Sequence, residues 1–166
     1  MPYFKSTPSG LKGLSIARDI SNELNYETNS GEFVRVLPRG TDGIQGIAVT
    51  ITSENPSRLE NFYVKVLQFE SVAPFKCRCG DTILIFQKGT GATETKTFVG
   101  EGFRYLTIQV CDATATCNAI KTMGGRIAME PLWFGKIAKV GFVLDPDGNW
   151  LEISARASLT GISPTK

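Results

Sequence analysis

Apolar and polar positions alternate with a period of two from Gly46 to Ile51, where Ile47, Val49 and Ile51 are separated by Ala48 and Thr50. That alternation specifies a strand with one buried face. Tyr105-Leu-Thr-Ile-Gln-Val110 repeats it, with Leu106, Ile108 and Val110 on the apolar side and Tyr105, Thr107 and Gln109 on the other. Each strand runs into a helix signal. Asn55-Pro56 supplies a capping side chain followed by proline at the first helical position, and Leu59, Phe62, Tyr63, Val66 and Leu67 then recur at helical spacing. In the second copy Asp112 is the N-cap, Ala113, Cys117 and Ile120 face inward, and Gly124-Gly125 stops the helix.

Strand-like runs follow each helix. The first copy has them at Ser71–Cys77, Thr82–Gln87 and Thr95–Val99, the second at Arg126–Glu130, Lys136–Leu144 and Trp150–Ala155. The last two are joined by Asp145-Pro-Asp-Gly-Asn149, a turn sequence. Each half therefore reads βαβββ, over residues 44–100 and 101–157. A half alone would expose the apolar face of its sheet, so the pair must share a core. The expected class is α+β, with eight strands curled into one cup-shaped mixed sheet whose concave face is polar. Residues 1–43 lie outside the repeat and read as an arm, with Ile16, Ile20 and Leu24 spaced for a short helix and Phe33–Leu37 for a strand. The arm packs on the module or a second subunit, or closes over the cleft as a lid. Residues 158–166 form a tail.

At 166 residues, 42% hydrophobic and 20% charged, the chain has the make-up of one folded domain of ordinary size. Basic and acidic residues number 18 and 16 and are interspersed, so no cationic face is available for nucleic acid. The apolar runs are too short to span a bilayer and the polar start lacks a signal-peptide core, which points to a soluble, cytoplasmic protein. The four cysteines, Cys77, Cys79, Cys111 and Cys117, are then expected as reduced thiols. The count of zero histidines removes the commonest metal ligand and the usual base near neutral pH. Acid–base work falls to Glu, Asp, Lys, Tyr or Cys.

Gly46–Ile51 followed by Leu59-Glu-Asn-Phe-Tyr-Val-Lys-Val-Leu-Gln-Phe69 resembles the opening of glyoxalase/bleomycin-resistance/extradiol-dioxygenase modules, the vicinal oxygen chelate superfamily. Phe142–Ile153, with its Asp-Pro-Asp-Gly-Asn stretch, resembles that superfamily's closing hairpin. The resemblance implies two βαβββ units forming a cup around a divalent metal held by two histidines and a glutamate. Carried onto this sequence, those positions fall on Gly46 (or Ala48), Tyr105 and Glu152, and the nearest residue to a fourth position is Gln87. Only the carboxylate is retained. Glycine and alanine have no donor atom, and a phenol with pKa ~10 is a poor ligand near neutral pH. The expectation is a cup with no catalytic metal and no cofactor.

Within that cup, alternation places Glu152 with Trp150 and Ser154, opposite Leu151 and Ile153, and gathers Thr50, Tyr105, Thr107 and Gln109 around it. A carboxylate in a partly apolar cavity can serve as a general base, with Tyr105 or Gln109 donating to a developing oxyanion. Trp133, Phe134 and Trp150 stack on a flat ligand or pack in the core. Asp112, Asp145 and Asp147 read as caps and turns. Lys139 and Arg104 read as solvated cations, or as holders of an anionic substrate group. Two readings stay open: a metal-independent isomerase or lyase working through Glu152, and a small-molecule binding or sequestration protein without turnover. A homodimer is expected, because a second copy can cover the sheet edges.

Overall fold

A computed structural model of the chain describes residues 9–100 and 102–163. After the helix of the first half come three strands, and the same is true of the second half. The first half consists of β4 (Ile47–Ser53), α1 (Pro56–Asn61), β5 (Glu70–Ala73), β6 (Lys76–Cys79) and β7 (Thr82–Lys88). The second consists of β8 (Tyr105–Gln109), α2 (Ala113–Thr122), β9 (Arg126–Phe134), β10 (Ala138–Leu144) and β11 (Trp150–Arg156). Strand order is β4-β7-β6-β5 in one half and β8-β11-β10-β9 in the other. In both, the first strand pairs in parallel with the last.

Both helix starts are capped as the sequence indicates. Asn55 Oδ1 accepts from the Arg58 amide at 3.1 Å, and Asp112 Oδ1 accepts from the Thr114 and Ala115 amides at 2.8 and 3.0 Å. α1 is short and widens into a π-helical turn over Phe62–Val66, which keeps Phe62 and Tyr63 directed into the core. The strand expected over Ser71–Cys77 is two strands. Phe75, at φ +59°, makes a tight reversal between β5 and β6. Thr95–Val99, expected as a strand, has no regular structure. The two departures offset each other, so the count of three strands holds with different members.

The arm departs most from expectation. In place of a helix through Ile16, Ile20 and Leu24 there are two strands, β1 (Leu11–Arg18) and β2 (Leu24–Glu27), joined by β3 (Phe33–Pro38). β1 lies antiparallel to β4, with Leu14 opposite Val49 and Ile16 opposite Ile47, and parallel to β3. Two flanking strands satisfy its backbone, whereas a lone short helix without a cap is marginal in water. Gly13, Ser15 and Ala17 are buried on the side away from the shared core, whereas Leu11, across a register shift, enters that core beside Ile51, and the Phe33 ring lies over Gly13 where a Cβ would stand 2.0 Å from it.

Because β1 takes the free edge of β4, the first half grows into a seven-stranded sheet ordered β2-β3-β1-β4-β7-β6-β5. The second half remains a separate four-stranded sheet. Two sheets thus stand where one eight-stranded cup was expected. They share a single core, built from Ile51, Leu84 and Phe86 of the first sheet, Val143, Leu151 and Ile153 of the second, and Leu59, Tyr63, Cys117 and Ile120 of the helices.

A buried polar network ties the parts together. Asp145 accepts from the Asp147 and Asn149 amides, both at 2.9 Å, from the Asn149 side chain at 2.8 Å, and from the Tyr63 hydroxyl at 3.2 Å. Asn149 Oδ1 accepts from the Gly10 amide at 2.9 Å, just before β1. The closing turn thereby holds the arm and α1's continuation at once. Burial outweighs these hydrogen bonds and pushes the Asp145 carboxyl up to about 6, while burial and the neighbouring Asp145 push the Tyr63 phenol well above its ordinary range. Among the described residues, no helix is long and apolar enough to cross a membrane.

Candidate functional site

Strand alternation decides which residues of the four-stranded sheet meet. Leu151 and Ile153 of β11, with Leu106 and Ile108 of β8, point into the shared core. Trp150, Glu152 and Ser154 therefore occupy the opposite face, with Tyr105, Thr107 and Gln109 alongside on β8 and Leu144, Phe142 and Val140 on β10. Glu152 stands between Thr107 and Phe142. It is half-buried, and among the described residues its carboxylate accepts no hydrogen bond and joins no ion pair.

The surroundings of that carboxylate are aromatic. Phe142 and Trp150 meet edge to face with centroids 5.7 Å apart, and Tyr105 meets Phe142 the same way at 5.5 Å. Phe98, from the segment after β7, lies flat on Phe142 at 4.6 Å. The contacts that hold this segment over the sheet include the stack, the Trp150 indole N–H donating to Thr95 Oγ1 at 3.2 Å, Arg104 Nε donating to the Phe98 carbonyl at 3.3 Å, and Arg126 pairing with Glu94 at 2.8 Å. Tyr105 keeps 40% of its surface exposed. The Gln109 amide turns back to donate to the Val110 carbonyl.

Not every candidate reaches this face. Thr50 is buried on the first sheet beside Gly13, and Gln87 is exposed near the end of β7 opposite Thr52. Both lie on the side of the first sheet that faces away from the shared core, as Glu152 does on the second, so the chain does not gather Thr50 or Gln87 around Glu152. Trp133 is also displaced. It pairs with Lys139, which pairs with Ala155, on the helix side of the four-stranded sheet. Phe98 and Phe142 were not singled out in sequence. Phe142 had a signal in its period-two spacing with Val140 and Leu144, whereas Phe98 lies in a segment whose course no local pattern specifies.

The donor set does not fit a catalytic metal. Gly46 has no side chain, and a Cβ there would stand 3.5 Å from the Asp81 carbonyl. Tyr105 is packed edge-on against Phe98 and Phe142, and Gln87 belongs to the other sheet. Among the described residues, no three His, Cys, Asp or Glu side chains gather.

The profile of the glyoxalase/bleomycin resistance protein/dioxygenase superfamily matches residues 46–153, which spans both βαβββ halves in order. The chain belongs to this superfamily. It is 38% identical over 74 residues to a "probable lactoylglutathione lyase" of Vibrio parahaemolyticus, a match covering 41% of this chain and 53% of that protein. The chain thus matches about half the length of that relative. Among solved structures it is similar to a glyoxalase/bleomycin resistance protein/dioxygenase from Nocardioides, with a TM-score of 0.52 and 14% identity over 72% of this chain and 86% of the other. It is also similar to an antibiotic binding protein from Streptomyces, with a TM-score of 0.51 and 15% identity over 66% and 93% of the two chains. These two likenesses are of fold. Within the superfamily frame, the arm strands β1 to β3 lie outside the matched residues and cap the first half.

Proposed function

We propose that this superfamily member binds a small, flat organic molecule without a metal, on the face of the four-stranded sheet that carries Glu152. The observation behind the reading is a half-buried carboxylate, unpaired among the described residues, set beside Tyr105, Phe142 and Trp150. Phe142 and Trp150 are buried behind Phe98, so the exposed Tyr105 ring supplies the π face for a ligand ring, and the carboxylate supplies one directional acceptor or counter-charge. Thr107 offers a hydroxyl beside it. A thermal-shift screen of flat aromatic amines tests this, because a ligand at 100 times its Kd raises stability by about 2.7 kcal/mol. The shift should vanish in Glu152→Gln, and equal shifts in both proteins would remove Glu152 from the site.

The same free carboxylate supports a second reading, turnover. Glu152 would take a proton from carbon next to a carbonyl, with Tyr105 donating to the oxygen. Solvent deuterium exchange at that carbon of a bound ketone, followed by NMR, separates the two. Binding alone gives no exchange, and base chemistry gives exchange that Glu152→Gln abolishes. A homodimer belongs to this proposal as well, since β8 is one of the two outer strands of its sheet and a second copy can pair with it. Sedimentation velocity should show a species of twice the chain mass.

A further inference from the structure

We infer that the helix side of the four-stranded sheet carries a second ligand site, suited to a small aromatic carboxylate. A cavity of about 570 Å³ opens there between the start of α2, strands β9 to β11 and the residues that follow β11, a volume within the ordinary range for small-molecule pockets. The inference does not depend on the Glu152 reading, since the two faces are separated by the sheet itself.

Strand register builds the cavity. Lys139 on β10 is directly opposite Trp133 on β9 and Ala155 on β11. Its half-buried side chain therefore rises between an indole wall and a methyl floor, with Ala113 and Ile162 adding apolar surface. Lys139 has no ion-pair partner among the described residues. The acid lining the cavity is Asp112, and its Oδ1 is engaged by the Thr114 and Ala115 amides as the cap of α2. The hydroxyl of Thr114, also in the lining, is buried with no hydrogen-bond partner among the described residues. A half-buried cation and an unpaired hydroxyl beside apolar walls call for a ligand with one anionic group on a flat apolar body.

Cys111 supplies a local reporter, being an exposed thiol in the cavity wall. The probe is 2-naphthoate, with uncharged 2-naphthol as control, and the readout is the rate of Cys111 alkylation by iodoacetamide. Naphthoate is expected to slow that alkylation at least fivefold at saturation and to change Trp133 fluorescence in a Trp150→Phe background. Lys139→Met should weaken naphthoate about tenfold and leave naphthol unchanged. Glu152→Gln should leave protection intact. Full-rate alkylation under saturating naphthoate in the unmodified chain overturns the inference without recourse to any variant. Equal naphthoate affinity in Lys139→Met, or protection lost in Glu152→Gln, overturns it as well.

Discussion

Phe98 and Phe142 lie face to face, their ring centroids 4.6 Å apart and their planes 8° from parallel. Through this stack a segment without strand or helix becomes part of the wall beside Glu152. Truncating a buried Phe to Ala ordinarily costs about 3–5 kcal/mol, and Phe98 is only half-buried. Phe98→Ala is expected to lower stability by roughly 1–2 kcal/mol, read as a lower urea midpoint at unchanged slope. An unchanged midpoint would mean that the polar contacts of Thr95, Arg104 and Arg126 hold the segment without the ring.

Asp145 is expected to titrate near pH 6 in the folded protein, because burial disfavours its charged form. The native state then keeps this proton where the unfolded chain, with an ordinary carboxyl near 3.8, has released it. The associated stability is complete below about pH 4 and lost as pH rises through 6, on the order of 3 kcal/mol. The Asp145 carboxyl carbon followed by NMR should show a midpoint near 6, and one below 4 would contradict the burial argument.

Tyr63 donates its hydroxyl to the same carboxyl group from the other half of the chain. Tyr63→Phe keeps the ring and removes one donor from a buried acceptor, at an expected cost of about 1–2 kcal/mol in urea unfolding. The Asp145 midpoint should also move further up, since a donor that favours its charged form has gone.

Gly13 is expected to tolerate no side chain. A Cβ there would stand 2.0 Å from the Phe33 ring, so Gly13→Ala must push the ring off β1 or shift β3. The expected loss is roughly 1–3 kcal/mol. Pairing the change with Phe33→Leu should recover part of it, and a stability equal to the parent for Gly13→Ala alone would show that the ring moves freely.

The four thiols should differ sharply in reactivity. Burial pushes Cys77 up to about 12 and Cys117 up to about 11, and both side chains are nearly inaccessible. Iodoacetamide at pH 8 with peptide mapping should modify Cys111 first and leave Cys77 and Cys117 intact until the chain unfolds. Early labelling of Cys117 would indicate local opening of α2 from the sheet.

The sequence made the repeated halves legible because their strands and helices carry local periodicity and local caps: Asn55 and Asp112 sit where side-chain chemistry requires them. The arm is not legible in the same way because Ile16, Ile20 and Leu24 match helical spacing, while the forces that make β1 a strand are pairings with residues 20 or more positions away. The Glu152 face was readable from alternation along β8 and β11. Trp133 was not, since its side of the sheet depends on how β9 registers with β10, where the pairing shifts between Val140 and Phe142. Phe98 was invisible for a related reason, as nothing local announces a ring that docks far along the chain.

Where β1 meets β4, the arm also covers what would otherwise be a sheet edge. Unmated, Ile47–Ser53 would present a straight row of open amides and carbonyls flanked by Val49 and Ile51, a surface that invites stacking into fibres. The arm moves the rim of the sheet outward to Leu24–Glu27, a strand of four exposed residues that includes a carboxylate. Its three strands thus act as a stopper against runaway growth.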